Sequence, residues 1–568
     1  MITPTAKQAE IRDEQELGLL VIAPAGCGKT EALALRAAGL LQRGQVRRPS
    51  RILVTTFSNR ARDNIRERLQ QHLTGAAARD SVTISNFHGL AARIVRAHAS
   101  VIGMDPGMTI PDSDWVTAQC RERRLGYARA GNVQDILRVV KQEPLDDAAV
   151  RDALAAAGNR DAIEIEAQRI TEHRLTYDDL LRVCELILQN EDVADLYRCL
   201  FPCVIVDEFQ DLTPQQLRVI RRIGEGRTTF AGDIAQGIYG FTGAAPEEVL
   251  AEIEQEVSRR VVFADSHRSS PAVLEMVNAL APFTGGQQLR SADPARWPAG
   301  GLAGLAAFPD TAAEAAFALE FAATVLQSAP HHRIGVIART ANRRRFADAA
   351  FAKSDLNWHR WDDPLLDTDT AKAMRALLTT LSPAELSIAP DMLRYLHHVS
   401  RLESVTDPDL KKSLADALAW ASDLLQEGAS PGELRARIKT GDDSTLLTTP
   451  GAHLLSGHAG KGQQFDWVVI LGAEEGCIPD FRAKTEPQKA EEARVLSVMI
   501  SRARHGVTLT HAAAVEDSNG RPWAKEPSSF QDAFTDIISC RGRQDIQRWL
   551  DATDWDLLIK ADSSAPTP

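Results

Sequence analysis

Aromatic side chains are scarce in this sequence: phenylalanine, tryptophan and tyrosine together make up 5% of 568 residues. Cysteine is scarcer still. Seven thiols are too few for a disulfide framework of this length. The one close pair, Cys199 and Cys203, lacks the second pair that zinc or an iron–sulfur cluster requires, so both are expected as buried thiols beside a strand. No run approaches the roughly 18 apolar residues of a membrane helix, and Met1 to Glu16 are polar, so no membrane contact or export is expected and the expected setting is a reducing cytoplasm. Positive charge is also in deficit, with 65 lysines and arginines against 77 aspartates and glutamates and a net charge of −12. That balance excludes a broad polyanion-binding surface and confines any nucleic-acid site to a local basic channel.

What is present is an ordinary globular composition, 44% hydrophobic and 25% charged, in a chain long enough for about four domains or subdomains. Apolar runs recur at Leu19–Ala23, Arg51–Thr55, Cys203–Val206, Thr228–Phe230, Arg333–Ala338 and Trp467–Leu471, several without alternation, as in parallel strands covered on both faces. Helix-like stretches separate them. The expected fold class is therefore α/β, with two parallel-sheet domains and active residues at the carboxyl ends of strands. Residues 89–200 and 346–446 lack the pattern and read as mainly helical insertions.

The segment Ala23-Pro24-Ala25-Gly26-Cys27-Gly28-Lys29-Thr30 follows the strand Leu19–Ile22 and precedes a helix-like stretch. Glycines let backbone N–H groups face phosphate oxygens at a helix N-terminus, Lys29 reaches the β- and γ-phosphates, and Thr30 ligates Mg²⁺. Ala23 stands where the strict pattern has glycine. A second strand ends in Asp207 and Glu208, of which Asp207 would hold the Mg²⁺ shell and Glu208 would orient or deprotonate the attacking water. A third, ending at Asp233, leads to Gln236, whose amide is placed to sense the γ-phosphate. The implied substrate is ATP and the implied cofactor is Mg²⁺.

With these motifs in order, the chain resembles the UvrD/Rep/PcrA group of superfamily 1 helicases. The resemblance is carried by Thr55–Ala61, Asn86–Ala91, Val206–Asp211, Gly232–Ala244, His267–Ser270, Val336–Thr340, His458–Phe465, Glu491–Ala503 and Pro527–Phe530. It implies two RecA-like domains, the first from 1–88 and 201–265 and the second from 266–345 and 447–540, with a C-terminal helix and tail over 541–568. It further implies that Arg268 and Arg502 contact the γ-phosphate and that Gln8 reads the adenine edge. His267, Gly462 and Gln464 complete the ATP site, and Phe57, Asn59, Phe87, His88, Tyr239, Phe241 and His458 contact single-stranded DNA. The polarity implied is 3′ to 5′.

Departures from the family pattern concern the base and the coupling between sites. His267 replaces a stacking tyrosine, Glu31 an arginine, Gln464 a glutamate and Thr242 an arginine. The second insertion, about 100 residues, is short, which favours translocation over strong autonomous unwinding. The short chain also resembles the helicase-like subunit of the Gabija anti-phage system, which works with a nuclease partner. The expected function is thus an ATP-dependent motor on single-stranded DNA, in repair or anti-phage defence. The alternative is an ATP-gated sensor of DNA ends that licenses a nuclease.

Overall fold

The computed structural model of the chain describes residues 4–563 except 58, 106, 108–114, 362–364, 367, 382–385, 387–390, 403–404, 406–407, 427–428, 441–447, 460 and 518–519. Two compact units emerge: Met1–Arg268 with Leu280–Ala292, and Ser269–Ala279 with Asp293–Ala565. Each is a RecA-like α/β domain built on a parallel sheet. Among the described residues no helix is long and apolar enough to cross a membrane.

The first sheet comprises β1 (Leu19–Ile22), β2 (Ile52–Thr56), β3 (Val82–Asn86), β4 (Cys203–Asp207), β5 (Thr228–Gly232) and β6 (Arg259–Val262), in the order β3-β2-β4-β5-β1-β6 with every pairing parallel. All residues of β1, β2, β4 and β5 are buried, which is why these strands read as unbroken apolar runs. Each such Leu, Ile or Val contributes about 1.5–3 kcal/mol on full burial. Helices α1 (Ala6–Asp13), α2 (Lys29–Gln42) and α3 (Asn59–His72) follow the same chain order, and α2 buries an unbroken stretch from Ala32 to Leu40. The phosphate loop, Phe57, Phe87, Glu208 and Asp233 each follow the carboxyl end of a strand.

The expected insertion 89–200 divides in two. Helices Phe87–His98 and Tyr177–Leu188 pack into the core of the first sheet through Leu90, Ile94, Leu181, Cys184 and Ile187. Only the middle helices, from Trp115 to Thr171, build a separate small core around Val133, Leu137, Val150, Leu154 and Ile165. The two thiols near β4 also part company, Cys203 being buried and Cys199 exposed.

In the second unit seven parallel strands run in the order Trp358–Arg360, Gly451–Ser456, Arg333–Ala338, Phe465–Leu471, Ala503–Ala512, Leu302–Phe308, Cys540–Arg541. Helix Ala341–Phe351 and strand Trp358–Arg360 belong to this α/β layer, so the second insertion starts later than 346. Its helices Thr368–Thr380, Met392–Val399, Pro408–Gln426 and Pro431–Arg437 share their own core around Met374, Leu396, Leu418 and Leu434. The segment 541–568, expected as a C-terminal helix and tail, forms two helices, Arg543–Asp551 and Trp555–Ser563, after the edge strand Cys540–Arg541, and Ile546, Leu550 and Leu558 pack on the second sheet.

Candidate active site

Between β1 and α2 the chain makes a tight loop. Ala23 N–H donates to the Gly232 carbonyl at 2.9 Å, and Cys27 N–H turns back to the Pro24 carbonyl at 3.2 Å. Gly26 and Gly28 both sit at φ +81°, a region L side chains avoid. A Cβ on Gly26 would collide with Arg268 Cβ and stand 2.8 Å from Ser266 Oγ; one on Gly28 would stand 2.7 Å from Gln8 Nε2. The loop is thus lined by Gln8 on one side and by 266–268 on the other. Gly28 caps α2 without a side chain, leaving the first-turn N–H groups open to an anion.

Inside this loop Lys29 Nζ lies 2.8 Å from Asp207 Oδ1 and 2.5 Å from Glu208 Oε2. Neither the ammonium nor Asp207 Oδ1, both buried, has an aligned hydrogen-bond partner. Burial works against the Lys29 charge, but the two carboxylates outweigh it and raise the lysine's pKa. Burial raises Asp207, with Lys29 opposing and Glu208 adding to the rise. Glu208 itself is held at φ +58°, costing about 1–3 kcal/mol for a residue of its kind. Gln210 fixes its carboxylate: Nε2 donates to Glu208 Oε2 at 2.7 Å, while Oε1 accepts from Asp233 N–H at 3.0 Å.

Arg268 follows the strand-like pair Asp265–Ser266, and the His267 N–H donates to the Gly26 carbonyl at 2.9 Å. The buried Nε of Arg268 makes no hydrogen bond, and burial lowers the guanidinium pKa against the pull of Cys27 and Glu208. The His267 ring is exposed. Gln236 is tethered by Nε2 to Asp233 Oδ2 at 2.9 Å. Gln8 lies against the loop with its amide engaged: Oε1 accepts from Thr5 N–H at 2.9 Å and Nε2 donates to the Gly28 carbonyl at 3.3 Å.

The donors fit a magnesium triphosphate. A glycine cradle at a helix N-terminus, an ammonium set between two carboxylates, an arginine whose buried Nε makes no hydrogen bond, the Asp207 carboxylate, and Thr30 in the first turn of α2 make the donor set that phosphate and Mg²⁺ require. A different grouping, His332, Asp466 and His505, brings donor atoms within 4.8 Å of one another. There Trp467 Nε1–H donates to His332 Nδ1 at 3.1 Å, placing the ring proton on Nε2 and making that nitrogen a donor, so the trio does not suit a cation.

Of the residues expected to touch DNA, Phe57 and Tyr239 stack on each other, ring centroids 5.1 Å apart and planes 13° apart, with Phe57 40% exposed. Phe87 is a correction: it is 4% exposed within the core of the first sheet and offers no ring face to a base. His88 is stacked at 3.6 Å on Tyr177, a ring the sequence reading did not single out, and burial lowers its pKa to about 4. The side chains of Asn59 and Phe241 lie outside the described residues.

The second unit holds the remaining predicted residues. Arg502 donates from Nη1 to the Ala459 carbonyl at 2.8 Å and from Nη2 to the Gly457 carbonyl at 2.7 Å. His458 Nδ1 stands 3.2 Å from Arg339 Nη1, Gly462 is exposed at φ +83°, and the Gln464 carbonyl accepts from Arg333. Gln210 and Asp233 were missed as positioning groups; the signal for Gln210 was an amide two residues beyond Glu208.

Residues 4–256 match the family model of the UvrD/REP helicase N-terminal domain, and 421–514 that of the UvrD-like helicase C-terminal domain. The chain is 27% identical over 563 residues to the ATP-dependent DNA helicase UvrD2 of Mycobacterium tuberculosis (strain ATCC 25618 / H37Rv), covering 90% of this chain and 78% of that one. It is 22% identical over 637 residues to the ATP-dependent DNA helicase PcrA of Staphylococcus aureus (strain NCTC 8325 / PS 47), covering 92% and 85%. With the ATP-dependent DNA helicase PcrA of Leuconostoc citreum it shares 31% identity over 290 residues, 48% of this chain and 38% of that one.

Proposed function

We propose, on the premise that the chain belongs to the UvrD-like family of superfamily 1 ATP-dependent DNA helicases, that it couples ATP hydrolysis in its first unit to 3′-to-5′ movement along single-stranded DNA. The observation that carries the reading is the charged cluster at the phosphate loop, where Lys29 is ion-paired with Asp207 and Glu208 at a helix N-terminus and the buried Nε of Arg268 makes no hydrogen bond.

In this reading the N–H groups of α2 and the Lys29 ammonium hold the β- and γ-phosphates. Lys29 then trades carboxylate contacts for phosphate ones, which frees Glu208. Thr30 and Asp207 are the residues that would hold Mg²⁺, which when bound supplies electrophilic polarisation of the phosphate oxygens. Glu208, aimed by Gln210, accepts the proton of the attacking water, and Arg268 stabilises the charge that develops on the transferring phosphoryl group. Gln236 senses that phosphate through its hydrogen bond to Asp233. Bases stack against Phe57 and Tyr239, sequence-tolerantly, because every base has a π-face.

The deciding experiment measures ATPase activity with single-stranded DNA, duplex and RNA, together with displacement from 3′- and 5′-tailed duplexes. Stimulation by single-stranded DNA and displacement from the 3′ tail are expected; absence of stimulation overturns the reading. The brevity of the second insertion favours one alternative, an ATP-gated DNA sensor licensing a nuclease. Stimulated hydrolysis without displacement by the purified chain would support it.

A further inference from the structure

The turn that carries Tyr239, Gly237–Gly243, has no charged residue of its own. It is closed by Thr242 N–H and Oγ1 donating to the Tyr239 carbonyl, at 2.9 and 2.7 Å, and by Gly243 N–H donating to the Gly240 carbonyl at 2.9 Å. An aromatic platform of this kind binds single strands weakly unless a cation nearby meets the backbone, since phosphate neutralisation supplies most of the affinity.

The helical insertion brings one. Gly243 sits at φ +92°, and a Cβ there would collide with Gln142 Nε2 and stand 3.1 Å from Arg138 Nη1. Glycine is thus required twice, by the backbone angle and by the close approach of helix Tyr127–Lys141. The Arg138 guanidinium is partly exposed, and its Nη2 donates to Asp135 Oδ1 at 3.0 Å. That surface ion pair is worth roughly 1 kcal/mol at most and yields readily to a phosphate. One turn further along, Lys141 Nζ donates to Thr176 Oγ1 at 3.2 Å, which sets this end of the helix beside Tyr177 and its stacked partner His88. Val139 and Tyr177 are both exposed in the same neighbourhood. Arg138 therefore lies beside the turn that carries Tyr239, on a helix whose end meets the residue preceding Tyr177.

We propose that Arg138 is a phosphate-binding residue for single-stranded nucleic acid, lent by the helical insertion to the charge-free turn of Tyr239. The inference rests on the nucleic-acid reading given above and names a contact within it.

The test is a salt titration of oligothymidylate binding to the full chain, followed by fluorescence anisotropy. Arg138→Gln should reduce the slope of log K against log salt by about 0.7 and weaken binding roughly five-fold near ~0.1 M salt, the signature of one lost phosphate contact on a single strand. Arg138→Lys, which keeps a point charge, should restore most of the slope. Arg160→Gln removes the same charge at an exposed position of the insertion, where Arg160 pairs with Glu164, and should leave the slope alone. An unchanged slope in Arg138→Gln, or an equal loss in Arg160→Gln, overturns the proposal. If Tyr239→Ala abolishes binding while Arg138→Gln does not change it, this contact falls and the nucleic-acid reading stands. If the unaltered chain does not bind oligothymidylate, both fall.

Discussion

Two clusters of buried charge lie in the first unit, and they are finished differently. In the helical region, Asp179 accepts from Arg182, from Lys141 and from both the N–H and the hydroxyl of Thr176. Arg169 places all three of its nitrogens, on Glu166, the Arg174 carbonyl and Asp147. Lys141 also meets Glu166 at 2.8 Å. At the phosphate loop, by contrast, Lys29 Nζ, Asp207 Oδ1 and Arg268 Nε are buried without aligned partners. A cluster with every donor and acceptor matched holds helices together; one held by ion pairs whose hydrogen bonds are poorly aligned can exchange them for those of a ligand. Burial alone would have ranked the two alike.

The largest effect is expected at Glu208. Glu208→Gln should cut kcat about 10²- to 10⁴-fold, as expected for loss of a general base, while thermal melting shifts little, and Lys29→Ala should abolish turnover. A collapse of the fold in Glu208→Gln would make the phosphate-loop cluster structural. The reverse is expected of Asp179→Asn, which leaves Lys141, Arg169 and Arg182 facing an uncharged amide: about 3–5 kcal/mol of stability should be lost, read by denaturant titration. The signs on pH agree. Burial opposes the Asp179 charge, but Lys141, Arg182 and Arg169 outweigh it and depress its pKa. Its contribution is therefore full above the ordinary aspartate pKa and fades as pH falls below it.

A half-buried titratable group differs from both because it is kept neutral. Burial moves His88 from 6.5 to about 4. Between those values the unfolded chain binds a proton that the folded chain does not, so stability should fall with decreasing pH by about 3 kcal/mol across that window. His88→Gln should flatten that limb of the stability profile; an unchanged limb would mean the ring is solvated.

Much of the phosphate site was legible because its residues are neighbours along the chain: loop, lysine and threonine occupy eight positions, and Asp207 and Glu208 two. Orientation was not legible in the same way. Phe57 and Phe87 each follow a strand of the first sheet, yet one projects to solvent and the other into the core, a choice made by helices Phe87–His98 and Tyr177–Leu188 packing beneath the sheet. Strand Leu302–Phe308 escaped notice because alanine and glycine fill four of its seven positions, residues of low strand propensity that only close packing permits there. The run Arg343–Arg345 reads in sequence as either a phosphate track or a solvated helical face, but Arg343 is buried between Glu314 and Glu474, and Arg344 pairs with Asp348. Arg138 was invisible for a simpler reason: about 100 residues separate it from the turn it serves.

The smallest expected effect falls on Gln210, whose amide is hydrogen-bonded to the Glu208 carboxylate. Its amide spans Glu208 and the backbone of Asp233, so it aims the carboxylate without touching phosphate. Gln210→Ala should lower kcat about ten-fold, or about 1.4 kcal/mol in barrier, with KM for ATP nearly unchanged, because geometry at the water is lost while phosphate binding persists. Gln210→Glu supplies a readout that a purely structural role would not move. A second carboxylate beside Glu208 disfavours its ionised form, so the acid limb of the kcat profile should move to higher pH. If both variants changed KM and left that limb in place, Gln210 would be supporting the nucleotide rather than the base, and the phosphate-loop cluster would have no positioning residue of this kind.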